Sequence, residues 1–388
     1  MDMASHFDEP LARGTSDSFK WRKYPADVLP MWVADMDFRS PEPVLQALHE
    51  RISHGVFGYP LEPLPELIES VTGYLLEHHG WRVPPEAIVL LPGLIPGFNV
   101  ACRAVAQPGD GVLLHVPAYP PLLQCPLNMG LRRDEVRMVR GASGQYEVDW
   151  DSFQQALHPR SRVMLLCNPH NPLGRVFTRE ELTRMAEACL RQELIIVSDE
   201  IHCDLVFRGH RHTCMAMLSP EVEARTITLM SPSKTFNLAG LKMAFAVIPD
   251  AQLRQRFLAA RADMLPSPNI LGGVAMQAAY RQGQPWLREL REYLEAQRGF
   301  LVDFVSRHLP GVRMVAPEGT YLAWLDCREA GLPGNATTFF LEQARVALSP
   351  GESFGPGGEG CVRLNFGCTR AHLSEGLERM RQAMARMR

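Results

Sequence analysis

The sequence predicts an α/β protein, with a large domain of three layers built on a mainly parallel sheet and a smaller α+β domain beside it. Three observations predict it. From about Glu86 onward, short apolar runs alternate with amphipathic helical stretches, the pattern of a sheet covered on both faces by helices. Conspicuous polar residues follow three of those runs: Asn168 and Asn171, Asp199 and His202, Ser231 and Lys234. In such sheets ligands bind off the carboxyl ends of the strands. The chain has 388 residues, too many for one small core, so two unequal domains are expected.

In order along the chain, residues 87–91 read as a strand and 96–106 as the helix after it. Residues 111–116 form a strand, and 163–167 another, followed by the loop 168–174. Thr178-Arg179-Glu180-Glu181 is a capping box, in which hydroxyl and carboxylate each take a backbone N–H that the first helical turn leaves free. It opens a helix that places Leu182, Met185, Ala186 and Cys189 on one face. Strands follow at 194–198, 226–230 and 244–248. A helix over 286–308 carries Leu287, Leu290, Leu294, Leu301 and Val305 as one stripe and leads out of the large domain. The remainder mixes strands at 321–325 and 361–366 with helices at 337–343 and 372–387. The large domain is therefore expected over 48–285, and the small one from 1–47 together with 286–388. The turn Gly355-Pro356-Gly357-Gly358-Glu359-Gly360 lacks the Lys-Ser/Thr ending of a phosphate loop. The C-terminal arginines Arg379, Arg381, Arg386 and Arg388 read as a solvated helix face favoured by the helix dipole.

Composition removes several classes of function. Hydrophobic residues make up 46% and charged residues 21%, an ordinary globular balance. A net charge of -3 gives no pull toward nucleic acid or an anionic membrane, and neither partner is expected. The polar N-terminal stretch to Phe19 lacks an apolar signal core, and no run reaches the ~18 apolar residues of a membrane span. Nine cysteines are scattered without a CxxC pair, which suits reduced thiols in a cytoplasmic protein and suggests no metal site.

The chemistry is concentrated in a few motifs. Lys234 lies in Met230-Ser231-Pro232-Ser233-Lys234-Thr235-Phe236-Asn237, directly after an apolar strand. A lone lysine is usually a solvated charge. A buried one has a lowered pKa and serves as a nucleophile toward an aldehyde, then as a base. Flanking serines suit a phosphate. Asp199 ends the run Leu194-Ile195-Ile196-Val197-Ser198. Helix capping or a structural ion pair would be its plain role; a carboxylate that keeps a pyridine nitrogen protonated is the chemical one. Together these residues point to pyridoxal 5'-phosphate held by Lys234 as a Schiff base. Asn171, in the turn Asn168-Pro169-His170-Asn171-Pro172-Leu173-Gly174, is placed to donate to the cofactor's phenolate oxygen. Tyr119 follows another strand and is either a core aromatic or a ring stacked on the pyridine. Gly93-Leu94-Ile95-Pro96-Gly97 joins a strand to a helix, and backbone N–H groups there suit a phosphate. Arg363 sits inside a strand; a buried arginine needs a partner, and a substrate α-carboxylate on its fork is the one expected.

In this order the motifs resemble the fold type I pyridoxal-phosphate enzymes, the aspartate aminotransferase superfamily, over about residues 28 to 385. Finer features resemble the MalY/PatB branch of cystathionine β-lyases and related carbon–sulfur lyases. These are Pro30-Met31-Trp32-Val33-Ala34-Asp35-Met36-Asp37-Phe38, Asp199-Glu200-Ile201-His202, and Glu318-Gly319-Thr320-Tyr321-Leu322-Ala323-Trp324-Leu325-Asp326. The resemblance implies a seven-stranded sheet in the large domain. It also implies that Ala34 offers its backbone near the substrate carboxylate. Ser231 and Ser233 would join Leu94 and Ile95 around the phosphate. Tyr59, in Phe57-Gly58-Tyr59-Pro60, would reach the phosphate of a neighbouring subunit, making the active unit a homodimer with shared sites. Two departures stand out. His202 occupies a position where many aminotransferases have tyrosine, as in the lyase branch. Lys242 stands where many have a phosphate-binding arginine, and a lysine lacks the fork geometry.

The expected activity is β-elimination on a sulfur-containing amino acid, giving pyruvate, ammonia and a thiol. Lys234 would act as base, Asp199 as stabiliser of the ring, Arg363 as carboxylate clamp and Tyr119 as aid to sulfur departure. An aminotransferase on the same scaffold is the alternative, since both routes share proton removal at the α-carbon. A binding protein without turnover is a further alternative, against which the intact set Lys234, Asp199, Asn171 and Arg363 argues.

Overall fold

The computed structural model describes residues 6–61, 64–142 and 144–387; Arg388, read above as part of a basic helix face, lies outside them. The large sheet has eight strands, in chain order β1 (Ile88–Leu91), β2 (Gly111–Val116), β3 (Arg132–Arg140), β4 (Tyr146–Val148), β5 (Ser161–Cys167), β6 (Ile195–Asp199), β7 (Thr226–Met230) and β8 (Ala244–Val247). Their spatial order is β1-β8-β7-β6-β5-β2-β3-β4. Pairing is parallel from β7 through β6, β5 and β2 to β3, and antiparallel where β8 and β4 join. The sheet is thus mainly parallel, as expected, but with eight strands instead of seven. The additional one is β4, a three-residue strand at the sheet edge.

Alternation sorts the side chains. Val112 and Leu114 of β2, Val163, Leu165 and Cys167 of β5, and Val197 of β6 pack on one face with Phe98 and Phe257. Leu113, Met164, Leu166 and Ile196 point to the other, against Leu182, Met185 and Phe153. Each such fully buried Leu, Ile or Val contributes about 1.5–3 kcal/mol relative to exposure. The helix Arg179–Arg191 begins with the expected capping box: Thr178 accepts from Glu181 N, and Glu181 reaches back to Thr178 N. Interior strands need no polar face, which is why they read as unbroken apolar runs. β3 is different. Arg132, Arg133, Arg137 and Arg140 alternate with the buried Asp134, Val136 and Met138, so its sequence reads as a charged surface stretch.

A second sheet of four antiparallel strands runs Arg313–Met314, Leu322–Asp326, Cys361–Asn365, Ser349–Pro350. Leu29–Pro30 pairs in parallel with Val346–Ala347, so the N-terminal segment is tied to the C-terminal part of the chain. The helix Gln284–His308 buries Leu287, Leu290, Leu294, Leu301 and Val305, the stripe read from the sequence. All nine cysteines are buried free thiols. Among the described residues, no helix is long and apolar enough to cross a membrane.

Candidate active site

The carboxyl ends of the strands, together with the segment around Ala34, enclose a cavity of about 340 Å³. Lys234 reaches it from the first turn after β7. Ser231 caps the short helix Pro232–Thr235 by accepting from Ser233 N at 3.1 Å, and its own hydroxyl donates to Met243 O at 2.7 Å. Proline follows at the first helical position, where its missing N–H costs nothing. The Lys234 amine donates to Ala34 O at 2.6 Å. Desolvation in the cleft pulls that amine down to about 8; Arg363 and Lys242 push the same way, against Asp35 and Asp199. A substantial neutral fraction therefore exists near pH 8, which a nucleophile requires.

Asp199 is the last residue of β6, buried, with Oδ1 accepting from Ile201 N at 3.1 Å. Burial pushes its carboxyl up to about 7, helped by the neighbouring Glu200. A cationic N–H donor in the cavity would restore full ionisation. Arg363, from the central strand Cys361–Asn365, donates from its two terminal nitrogens to Asn171 Oδ1 and Trp32 O, each at 2.9 Å, with Ser349 Oγ at 3.3 Å. Its Nε is buried without a partner. Burial lowers Arg363 to about 10, so it stays charged at neutral pH.

His202 is buried beside Tyr321, ring centroids 6.1 Å apart and edge-on. Burial, then Lys234 and Arg363, holds its imidazole down at about 3, hence neutral; its Nδ1 has no partner. Tyr119 stands at the N-terminal boundary of the helix Pro120–Leu127, without a side-chain bond to it. Burial, with Asp199 next, raises its phenol pKa. Leu94 and Ile95 open the helix Leu94–Val105, whose first N–H groups have no helical acceptor. They line the cavity with Ser231, Ser233 and Lys242.

Of the residues singled out from the sequence, Ala34, Leu94, Ile95, Tyr119, Asn171, Asp199, His202, Ser231, Ser233, Lys234 and Arg363 all border this one cavity. Tyr59 does not: it is fully exposed, away from the cavity of its own chain. Three supporting residues were missed as such. Tyr321 donates its hydroxyl to Ala34 O at 3.0 Å, the same oxygen that receives Lys234. Asn237 bonds Met36 through both N and O and also reaches Phe38 O, and Asn365 donates to Val33 O and Asp35 O. Tyr321 and Asn237 sit inside the quoted motifs and Asn365 in the strand read at 361–366, but their partners are some 200 to 330 residues away in sequence, beyond any local signal.

The donor set fits pyridoxal phosphate. A neutral-capable amine would suit its aldehyde, a carboxylate its ring nitrogen, and helix N–H groups with hydroxyls its phosphate. An arginine with an unpartnered buried Nε remains for a carboxylate.

Fold and site together define an α/β enzyme with a lysine at the mouth of a mainly parallel sheet. The chain belongs to the family Aminotransferase class I and II, which it matches over residues 26–380. It is 40% identical to cystathionine beta-lyase PatB of Bacillus subtilis (strain 168), over 98% of this chain and all of that one. Among solved structures it is similar to cystalysin from Treponema denticola, which contains pyridoxal 5'-phosphate. There the TM-score is 0.94 and the identity 29%, covering 98% of this chain and 99% of the other. It is also similar to the PLP-bound C-S lyase from Staphylococcus hominis, with TM-score 0.91 and 30% identity over 98% of each chain.

Proposed function

We propose that this chain is a pyridoxal-phosphate-dependent carbon–sulfur lyase of the cystathionine or cysteine-S-conjugate β-lyase type. The observation that carries the reading is the meeting of Lys234, Asp199 and Arg363 in one small cavity. Likeness to PatB and the C-S lyases favours elimination over transamination. When bound, pyridoxal phosphate supplies an aldehyde for an amine and an electron-withdrawing ring.

The chain's own residues do the rest. Arg363 binds the α-carboxylate and Asn171 orients that arginine through their 2.9 Å bond. Lys234, once its amine is free, takes the α-proton; such general-base help contributes roughly 10²–10⁴-fold. Asp199 keeps the ring nitrogen protonated. Neutral His202 lines the cavity without adding charge to it. Tyr119, its phenol held protonated by burial, is the proton donor assigned to the departing sulfur. The thioether and one water thereby become pyruvate, ammonia and a thiol. Leu94, Ile95, Ser231 and Ser233 take the phosphate, with Tyr59 supplied by a second subunit. The proposed working form is a homodimer in the cytoplasm, with domains over 48–285 and over 1–47 plus 286–388.

The test is pyruvate release by the holoenzyme from a panel of thioethers, cystathionine first, followed by a coupled dehydrogenase. Pyruvate in stoichiometry with thiol is expected. No pyruvate from any of them, with rapid conversion of the cofactor to its amine form by alanine, would replace the lyase reading with an aminotransferase.

A further inference from the structure

A second and larger cavity, about 860 Å³, shares no lining residue with the active-site cleft. The end of β6 and the loop after it divide between the two: Asp199 and His202 face the cleft, while Cys203 and Asp204 face the second cavity. His79 joins them there from the end of the helix Pro65–His79, where Gly80 at φ 68° lets the chain turn away. The ring nitrogen Nε2 of His79 lies 3.2 Å from Asp204 Oδ1 and 3.9 Å from Cys203 Sγ. All three ligand atoms lie within 4.8 Å of one another.

Those separations have a chemical meaning. Zinc bonds of about 2.0–2.2 Å to nitrogen and oxygen and about 2.3 Å to sulfur give tetrahedral edges of roughly 3.3–3.6 Å. The two edges, 3.2 and 3.9 Å, lie just below and just above that range, within a small side-chain adjustment of it. One imidazole nitrogen facing both a carboxylate oxygen and a thiol sulfur is more than an ion pair needs. The support behind the ligands is also in place. Asp204 Oδ2 accepts from Thr235 Oγ1 at 2.9 Å, and its backbone oxygen accepts from Arg291 Nε. Outer partners of this kind fix a ligand's orientation. A neighbouring trio, Glu200, His212 and Cys214, is also close-set but closed. Glu200 bonds His212 at 2.7 Å, Ser198 at 2.9 Å and Met215 N at 3.0 Å, and it does not reach the cavity.

We propose that His79 Nε2, Cys203 Sγ and Asp204 Oδ1 form a three-ligand site for Zn²⁺, with a fourth position turned to the cavity and taken by water. Binding requires a neutral imidazole and a thiolate, so protons leave as the ion enters, and no oxidant or reductant takes part.

The experiment uses full-length holoenzyme freed of trace metal by chelator, then titrated with Zn²⁺ against a chromophoric zinc chelator. Zinc-edge X-ray absorption is recorded at one equivalent. One zinc per chain is expected, with a single sulfur scatterer at about 2.3 Å and nitrogen or oxygen at about 2.0–2.2 Å. Cys203→Ser and Asp204→Asn should each weaken binding at least tenfold, and loss of the outer partner in Thr235→Val by about tenfold. Cys214→Ser should leave binding unchanged. Substoichiometric zinc, a shell without sulfur, or loss on Cys214→Ser with retention on Cys203→Ser would overturn the assignment. Should Cys203→Ser fail to fold by circular dichroism, Asp204→Asn and Thr235→Val, set against Cys214→Ser, decide between the two trios.

Discussion

Lys234 titrates in a setting that no surface lysine shares, and its pH dependence follows. An ordinary lysine amine loses its proton near 10.5; in this cleft the loss comes at about 8. Only the neutral amine attacks an aldehyde. Uptake of pyridoxal phosphate by the cofactor-free chain should therefore accelerate as pH rises through about 8 and level off above it. Stopped-flow absorbance across pH 6–11 reads this; a rate still climbing beyond pH 10 would place the reacting amine elsewhere (the range spans roughly the two lysine limits). Arg363 supports a second prediction. Arg363→Lys keeps the charge but loses the fork that bonds Asn171 and Trp32 while facing the cavity. A hydrogen bond to a charged group contributes about 1.5–3 kcal/mol, so KM for the amino acid should rise roughly 10- to 100-fold. The absorbance of bound cofactor should stay as it was. An unchanged KM would remove Arg363 from carboxylate binding. At this scale the sequence was informative because chemistry-bearing residues follow apolar strands within a few positions. It was silent on the contacts of Tyr321, Asn237 and Asn365, whose partners come from the distant segment Val33–Phe38.

Elements were legible in proportion to their burial. β2, β5, β6 and β7 are buried along nearly their whole length and stand out as apolar runs. β4 is the edge strand and β3 the one beside it; both alternate charged with apolar residues, and the four arginines of β3 leave no unbroken run to read. The helix Arg179–Arg191 was legible from its first residue because a capping box is a local chemical pattern. That cap should be measurable. Thr178→Ala removes the oxygen that accepts Glu181 N at 3.2 Å and should cost about 0.5–2 kcal/mol. The urea midpoint of the variant should fall with its slope unchanged, and kcat should not move. A midpoint equal to that of the parent chain would mean the helix start is fixed by packing of Leu182 and Met185 instead.

Across the whole molecule, the joining of residues 1–47 to the C-terminal part was expected from the order of elements along the chain, and the pairing of Leu29–Pro30 with Val346–Ala347 ties the two. A buried charge network inside that N-terminal segment had no sequence signal. Lys20, 1% exposed, bonds Asp37 at 2.8 Å and Asp35 O at 3.1 Å, while Arg13 pairs with Asp35 and Asp37. Charges this deep persist only when fully paired. The segment just beyond is the reverse case, with apolar side chains left in water: Ile52, Val56, Phe57 and Leu61 are each more than half exposed, and Tyr59 completely. Contiguous apolar exposure of this kind marks an interface, and a stable one buries about 800 Å² on each partner. Light scattering should give twice the 43.5 kDa of one chain, and Phe57→Asp should give the single-chain mass with activity lost. Sharing of sites demands more than association. A Tyr59→Ala chain keeps Lys234 but cannot supply its partner's phosphate contact; a Lys234→Ala chain can supply that contact but has no amine. When the two are mixed and allowed to exchange subunits, one site of each hybrid holds both residues, so activity should rise above the sum of the separate preparations. A mixture no more active than its parts, in a dimer shown to exchange, would confine each site to one chain and return Tyr59 to the solvent.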